Sequence, residues 1–229
     1  MKIDCVIPTR GNRKDFVDFA VKQIENQTFP PDFIEIVDHP PDSDKTDIAS
    51  RYKIGIDRRL NAGADIIFFI EDDDFYCQNY IETMIKMWTA AGKPSLFGLD
   101  VTTYYHIGLK IYGDQSHEGR SSMYCTMMTK DFNVSNWPKD PDPFVDLKIW
   151  KGNKDKKAVT PVDTICLGIK HGQGKCAGSM HNANKFNKAF NIRHKGKADS
   201  DLSYLQKITG PGFWFYKSMI NGMEGGKCR

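Results

Sequence analysis

The sequence predicts an α/β protein whose first half builds a mostly parallel sheet. Over residues 1–100, short apolar segments alternate with segments of helical periodicity, which is typical of βαβ units. Ile66 to Ile70 form a continuous apolar run, as expected of a central parallel strand covered on both faces. With 229 residues, of which 40% are hydrophobic and 27% charged, the chain has the size and composition of one globular domain.

The elements of the first half follow in order along the chain. Strands are predicted at 2–8, 33–37, 66–70 and 96–99, and helices from about Phe16 to Ile24, from near Thr46 to Asn61, and from Tyr80 to Ala91. Right-handed crossovers between parallel strands bring their carboxyl ends to one edge of the sheet. Residues that follow these strands are therefore expected to lie together.

The pattern changes after Asp100. Segments 104–112 and 122–128 favour antiparallel strands, 137–144 is a proline-rich loop, 146–150 favours a short helix and 165–169 a last strand. We therefore expect one domain over 1–229, with an α/β half at 1–100 and a mixed half at 101–229.

Apolar runs and cysteine spacing favour a soluble, cytoplasmic protein without a membrane span. The longest apolar stretch has five residues, against about 20 for a spanning helix. The apolar run near the N-terminus, Cys5 to Ile7, is shorter than the core of a signal peptide. Six cysteines without a C-x-x-C pair favour free thiols over disulfides or a zinc site.

Charge is divided unevenly along the chain. Residues 1–150 hold 17 Lys and Arg against 24 Asp and Glu, a net −7, whereas residues 151–229 hold 15 against 5, a net +10. This asymmetry indicates an anionic partner for the C-terminal third, either a diphosphate or a polyanion, although a solvated lysine-rich surface would look the same.

Four consecutive acids, Glu71 to Asp74, follow the central apolar strand directly. Ligands of open α/β sheets bind at such carboxyl ends. Adjacent carboxylates repel one another unless a cation compensates, and Mg²⁺ or Mn²⁺ would do so while also binding phosphate oxygens. In an extended segment Asp72 and Asp74 would point the same way and share the metal, with Asp73 opposite. The alternative is an acidic surface turn.

Three further groups of residues are candidates for the site. Asp38 follows the second strand and would contact a nucleoside or cap a turn. Asp142 and Asp146 lie among prolines and aromatic residues that would raise a carboxylate pKa, as a general base requires, although Asp146 is equally placed to cap a helix. His171 and His181 flank a glycine-rich loop, where a histidine would join a metal or a diphosphate or would simply be exposed.

Taken together, these segments resemble the family 2 glycosyltransferases of the GT-A fold. The resemblance rests on Ile7 to Arg10, on Phe33 to Asp38, on Ile66 to Asp74 and on the later segment GIKHGQGKCAGSMH. It implies a Rossmann-like nucleotide-sugar half joined to an acceptor half, a D-x-D motif that binds a divalent metal, and inversion of the anomeric centre.

The resemblance also implies roles for individual residues. The nucleotide-sugar site would comprise Pro8, Thr9, Arg10, Asp38, Arg51, Lys53, Asp72 and Asp73. Mn²⁺ or Mg²⁺ would be bound by Asp72, Asp74 and either His171 or His181. Asp146 takes the place of the catalytic base, with Asp142 as its alternative.

The sequence thus predicts a metal-dependent glycosyltransferase that moves a hexose or pentose from a nucleoside diphosphate sugar to an acceptor hydroxyl. The acceptor would be a glycan, a small molecule or a hydroxyl-modified DNA base. A metal-dependent nuclease would use the same acids together with the basic C-terminal third. A non-catalytic binding module would have almost the same sequence.

Overall fold

A computed structural model describes residues 1–41, 45–172, 182–184, 187–188 and 196–225. The strands are β1 Ile3–Pro8, β2 Phe33–Val37, β3 Ile66–Phe69, β4 Phe75–Tyr76, β5 Leu96–Leu99, β6 Val101–His106, β7 Ile111–Ser116, β8 Thr126–Thr129, β9 Lys156–Val159, β10 Cys166–Lys170 and β11 Lys197–Ala198. The helices are α1 Lys14–Glu25, α2 Ile48–Asn61, α3 Tyr80–Ala90, α4 Val145–Gly152, α5 Ser203–Thr209 and α6 Phe213–Gly225.

The first sheet has the strand order β2-β1-β3-β8-β5-β9. Strands β2, β1 and β3 run parallel, with Cys5 of β1 opposite Ile34 on one side and Phe68 on the other. Helix α2 packs on one face, where Tyr52 and Ile56 join the core of buried side chains around Phe69. The predicted parallel βαβ arrangement of this segment is confirmed.

Strand β8 interrupts the mostly parallel sheet that the sequence predicts for the first half. It lies antiparallel between β3 and β5, so Leu96–Leu99 is not the direct neighbour of β3. Its two methionines explain the position, because Met127 is buried in the core on one face of the sheet and Met128 in the core on the other. A strand that is apolar on both sides is stable in the middle of a covered sheet.

The second sheet has the order β11-β7-β6-β10-β4 and is mixed. The predicted 104–112 segment is split by a turn into the hairpin of β6 and β7. Strand β10 runs parallel to β6 and antiparallel to β4. Helices α5 and α6 cover this sheet through a third core that includes Leu205, Tyr216 and Ile220. The chain is therefore α/β with mixed sheets, as predicted.

The state of the cysteines and the length of the helices bear on two predictions from the sequence. Cys5, Cys77, Cys125 and Cys166 are free thiols. Within the described ranges, no helix has the length and hydropathy of a membrane span.

Candidate functional site

A cleft of about 650 Å³ opens at the carboxyl ends of β1 and β3. This volume is in the range of ligand-binding sites. Residues of both halves line it, among them Pro8, Thr9, Arg10, Asn12, Arg13, Asp47, Arg51, Glu71, Asp72, Asp73, Tyr104, Gln115, His117, Arg120, Phe144, Asp146, Leu147 and Lys170. The cleft thus lies at the edge of the sheet where the carboxyl ends of the strands were predicted to meet.

The loop after β1 forms one wall of the cleft. Thr9 is buried, and its carbonyl accepts from the buried Arg51 side chain. Gly11 has a φ of +76°, and a Cβ built on it would lie 2.6 Å from the carbonyl oxygen of Asp38. Only glycine combines this backbone conformation with such a close approach, so the loop from β1 can lie against the end of β2.

The acidic segment after β3 is a turn and not extended chain. The amide of Asp74 donates to the carbonyl of Glu71 at 3.5 Å, and β4 begins at the next residue. Strict alternation of side chains therefore does not apply, and the prediction that Asp72 and Asp74 point the same way from an extended segment is wrong. Instead, carboxylate oxygens of Glu71, Asp73 and Asp74 lie within 4.8 Å of one another.

Asp74 ties this turn to the second sheet. Its Oδ1 accepts from the amide of Ile169 in β10 at 2.7 Å, and the side chain is fully buried. No hydrogen-bond donor among the described residues reaches its Oδ2, which is also buried. A buried carboxylate oxygen without a donor requires a proton or a cation.

Asp72 and Asp73 are paired with basic side chains. Arg13 places Nη1 3.1 Å from Asp72 Oδ1 and Nη2 2.8 Å from Asp73 Oδ2. Nε2 of the buried His171 is also 2.8 Å from Asp73 Oδ2. His171 therefore contacts a carboxylate of the acidic turn, whereas His181, the alternative metal ligand, lies outside the described residues.

The pKa values of these acids diverge. Burial, with the charge of Asp73, raises the pKa of Glu71 and of Asp72 to about 7. Burial also raises the pKa of Asp74 well above its ordinary value. Although burial acts in the same direction on Asp73, the hydrogen bond from His171 and the charge of Arg13 hold its pKa far below the ordinary value.

This set of residues fits a hard divalent cation. It offers only carboxylate oxygens, which Mg²⁺ and Mn²⁺ prefer. It also contains the Asp74 oxygen that lacks a donor within the described part of the chain. A cation at this point would favour the ionised form of every neighbouring acid. An acidic cluster that can hold a metal is thus present. It comprises Glu71, Asp73 and Asp74, whereas the sequence predicted Asp72, Asp74 and a histidine as ligands.

Asp146 lies across the cleft near the start of α4. Its Oδ2 accepts from Arg120 Nη1 at 2.8 Å. Burial raises the pKa of Asp146, and the charge of Arg120 opposes the rise. Asp142 is used differently, since its Oδ1 accepts from the amide of Phe144 at the start of α4 and it is absent from the cleft wall.

Three residues that were predicted to contact the nucleotide are either bound to other protein groups or lie outside the cleft wall. Arg51 lines the cleft but is fully buried, and it donates to the carbonyl of Val37 and to Asp47. Lys53 is paired with Asp57 and does not line the cleft. Asp38 is exposed at the end of β2 and is not part of the cleft wall either.

Sequence reasoning missed Arg13, Arg120 and Lys170. Arg13 carried a signal, because it stands in the same loop after β1 as Thr9 and Arg10. Lys170 is the last residue of β10, immediately before His171. Nothing in the sequence connects Arg120 with Asp146, because their pairing depends on the path of the chain after β7.

The fold of this chain is similar to that of proteins of known structure. No protein-family model matches the chain, and no curated protein matches it either. Among solved structures, TarS 1–349 from S. aureus in complex with UDP-GlcNAc matches with a TM-score of 0.53 and 9% identity, over 84% of this chain and 73% of that one. The TarS 1–349 structure without a named ligand matches with a TM-score of 0.50 and 8% identity over the same shares. TarS is a glycosyltransferase of the GT-A type, and the fold of this chain resembles it, as the sequence predicted.

Proposed function

We propose that this protein is a glycosyltransferase that moves a sugar from a nucleoside diphosphate sugar to an acceptor hydroxyl. The observation that carries the proposal is one cleft lined by Glu71, Asp72 and Asp73 of the acidic turn and also by Asp146. The two are close enough that the charge of Asp146 contributes to the raised pKa of Glu71. A cation site and a separate, half-buried carboxylate are the two parts that such a transfer needs.

The donor is assigned to the side of the cleft formed by the β1 loop. Pro8, Thr9 and Arg10 line this wall and adjoin the acidic turn. The TarS structure of the same fold is a complex with UDP-GlcNAc, which supports a nucleoside diphosphate sugar as the donor class. In this arrangement Arg51 holds the Thr9 loop in place, so its effect on the nucleotide is indirect.

Glu71, Asp73 and Asp74 would hold the divalent cation, Mn²⁺ or Mg²⁺. When bound, this ion supplies positive charge for the diphosphate as the sugar leaves it. Asp72 lines the cleft beside the ligand set and is proposed to face the donor. Lys170 lines the same cleft, and its positive charge favours the ionised forms of Glu71 and Asp74.

Asp146 is proposed as the general base. Its carboxylate takes the proton of the acceptor hydroxyl while the acceptor oxygen forms a bond to the anomeric carbon and the bond to the diphosphate oxygen breaks. Such a single displacement inverts the anomeric centre. The charge of Arg120 favours the ionised form of Asp146, and its hydrogen bond orients one carboxylate oxygen, which leaves the other for the acceptor.

For the acceptor we propose a polyanion, with a hydroxyl-modified DNA base as the specific candidate. The surplus of ten positive charges in residues 151–229 exceeds the charge of one diphosphate. Lys151 lies in the last turn of α4, whose first turn contains Asp146, and Lys154 follows the helix; both lysines are exposed. Two exposed apolar side chains at the cleft, Phe144 and Leu147, offer a surface on which a base or sugar ring can stack.

A donor screen tests the proposal. UDP-, GDP-, dTDP- and CDP-sugars are added with and without Mn²⁺, and both the melting temperature and slow release of free sugar are measured. A ligand at about 100 times its Kd stabilises the folded state by about 2.7 kcal/mol. We expect one nucleotide class to stabilise the protein and to be hydrolysed slowly. If none of these donors binds under either condition, the proposal is wrong.

A further inference from the structure

Arg13 lies in the acidic site, and the proposed function assigns it no role. It immediately precedes α1 and lines the cleft. Its guanidinium reaches Asp72 at 3.1 Å and Asp73 at 2.8 Å, and its Cζ lies 4.5 Å from the centre of the Phe16 ring. One side chain thus neutralises part of the cluster that is also assigned to a divalent cation.

The Arg13 guanidinium and a divalent cation would compete for the carboxylate of Asp73. Asp73 is one of the three candidate metal ligands, yet its Oδ2 is already shared between Arg13 and His171. A divalent cation bound there would lie near the guanidinium and repel it, because like charges a few Å apart in a partly buried site are poorly screened. Either Arg13 weakens cation binding, or it leaves when the cation arrives.

The geometry favours departure of Arg13 over that of His171. The Arg13 side chain is 24% exposed and lies at the cleft wall, whereas His171 is 1% exposed. Arg13 also follows the loop of Gly11 and precedes the first turn of α1, so its side chain can change rotamer without moving a strand. Its guanidinium stays charged at all relevant pH values and is suited to a phosphate as much as to a carboxylate.

We propose that Arg13 is an exchangeable counterion of the acidic turn. Before the cation binds, Arg13 pairs with Asp72 and Asp73. When the cation takes Asp73, Arg13 turns to the diphosphate of the donor and remains in the cleft as a positioning residue for it. This inference rests on the proposed function, since it assigns a second phosphate-binding group to the same site.

The exchange predicts effects of opposite sign in one variant. Arg13→Gln should bind Mn²⁺ more tightly in the absence of nucleotide, by about thirtyfold, as expected from removing one unit charge about 4 Å from a doubly charged ion in a water-like medium. With saturating Mn²⁺, the same variant should bind UDP or a UDP-sugar roughly tenfold more weakly, because a charge-assisted hydrogen bond to phosphate is lost. Mn²⁺ binding is measured by electron paramagnetic resonance and nucleotide binding by calorimetry.

Two further variants separate the exchange from other roles. Lys14→Gln removes the same charge from the next residue, which is 81% exposed and paired with Asp18, and should leave both affinities unchanged. Arg13→Lys keeps the charge without the forked geometry and should give intermediate values. If Arg13 only braces the fold, Arg13→Gln will weaken Mn²⁺ and nucleotide together and lower the melting temperature, and the exchange is then refuted.

Failure of the exchange differs from failure of the proposed function. If UDP and Mn²⁺ bind the unaltered protein but Arg13→Gln changes neither affinity, the exchange is wrong and the transferase proposal stands. If Mn²⁺ binds neither protein, there is no cation to exchange with and the metal assignment falls as well. If no nucleotide sugar of the screen binds, the transferase proposal itself is overturned.

Discussion

His171 Nε2 lies 2.8 Å from Asp73 Oδ2, which joins the residue after β10 to the turn after β3 across 98 positions of the chain. A second contact runs in parallel, since Asp74 Oδ1 accepts from Ile169 of β10 at 2.7 Å. The acidic turn is therefore held from both sheets. The C-terminal half, which we propose to bind the acceptor, therefore also fixes the orientation of two carboxylates that we assign to the donor side.

Asp74→Asn should remove the metal-dependent part of nucleotide-sugar affinity. The amide can still accept from Ile169, but the position loses the negative charge that would bind a cation. We expect UDP-sugar binding in Mn²⁺ to fall to the level seen with EDTA, as measured by calorimetry. Asp18→Asn, an exposed position, is the matched control and should retain the Mn²⁺ effect. Unchanged Mn²⁺-dependent binding in the Asp74 variant would refute the metal assignment.

The position of the acidic turn followed from the sequence, whereas the arrangement of its carboxylates did not. The apolar run that ends at Ile70 and the acids after it place the turn at the edge of the sheet, as observed. Which acids face one another depends on the turn from Glu71 to Asp74, and a four-residue polar segment carries no periodicity that distinguishes a turn from a strand.

Contacts between segments that are distant along the chain also could not be predicted from the sequence. Arg13 and Asp73 are 60 residues apart, and Arg120 and Asp146 are 26 apart. The insertion of β8 between β3 and β5 likewise depends on packing in two cores. Local composition determines strands and helices, but such pairings are decided by tertiary packing and appear only when the chain is folded.

Asp146→Asn should affect turnover rather than donor binding. The amide cannot take the acceptor proton, and a positioned general base contributes roughly 10²–10⁴ in rate. We expect kcat to fall by about 10² or more with the donor Kd nearly unchanged, measured by steady-state kinetics and calorimetry. Asp142→Asn is the matched control, because Asp142 lies outside the cleft wall and contacts Phe144 and Lys148. If the control loses turnover and the Asp146 variant does not, the base is Asp142.

Arg120→Gln should move the acidic limb of the pH–rate profile to higher pH. Burial raises the pKa of Asp146 and Arg120 lowers it, so loss of the guanidinium raises that pKa further. A general base works only when deprotonated, and a higher pKa requires a higher pH for the same ionised fraction. Profiles of kcat/KM for the two proteins test this. A shift to lower pH, or none, would mean that Asp146 is not the titrating base.

Gly168→Ala should disturb the cleft from within the second sheet. A Cβ at this position would lie 2.4 Å from two ring carbons of Tyr104, which is buried and lines the cleft. Overpacking of this kind costs about 1–3 kcal/mol of unfolding free energy. Chemical denaturation should show this loss, together with weaker donor binding. Gly222→Ala is the control, since a Cβ there meets nothing within 4 Å and alanine favours the helix.

The acceptor prediction concerns exposed lysines near α4. Lys148 is 61% exposed, and Lys151, Lys154 and Lys157 are also exposed. Lys156 differs from its neighbours, because it donates to the Trp150 carbonyl and is half-buried. Trp214, with 67% of its surface exposed, offers a stacking surface elsewhere in the basic half. A second basic segment comprises Lys185, Lys188, Arg193, Lys195 and Lys197. Lys188 and Lys197 are exposed, whereas the other three lie outside the described residues.

If the acceptor is nucleic acid, duplex DNA should bind with an affinity that falls linearly with log salt, at a slope near −0.9 for each neutralised phosphate. Replacing Lys151, Lys154 and Lys157 by Gln should lower the magnitude of that slope by about 0.9 for each phosphate contact that is lost. A variant with Gln at Lys14 and Lys86, exposed lysines of the acidic half, should keep the slope of the unaltered protein. Fluorescence anisotropy over a range of salt concentrations measures all three. Since a basic site for DNA must bind at about 50 mM salt, no binding there would redirect the search for the acceptor to glycans and small molecules.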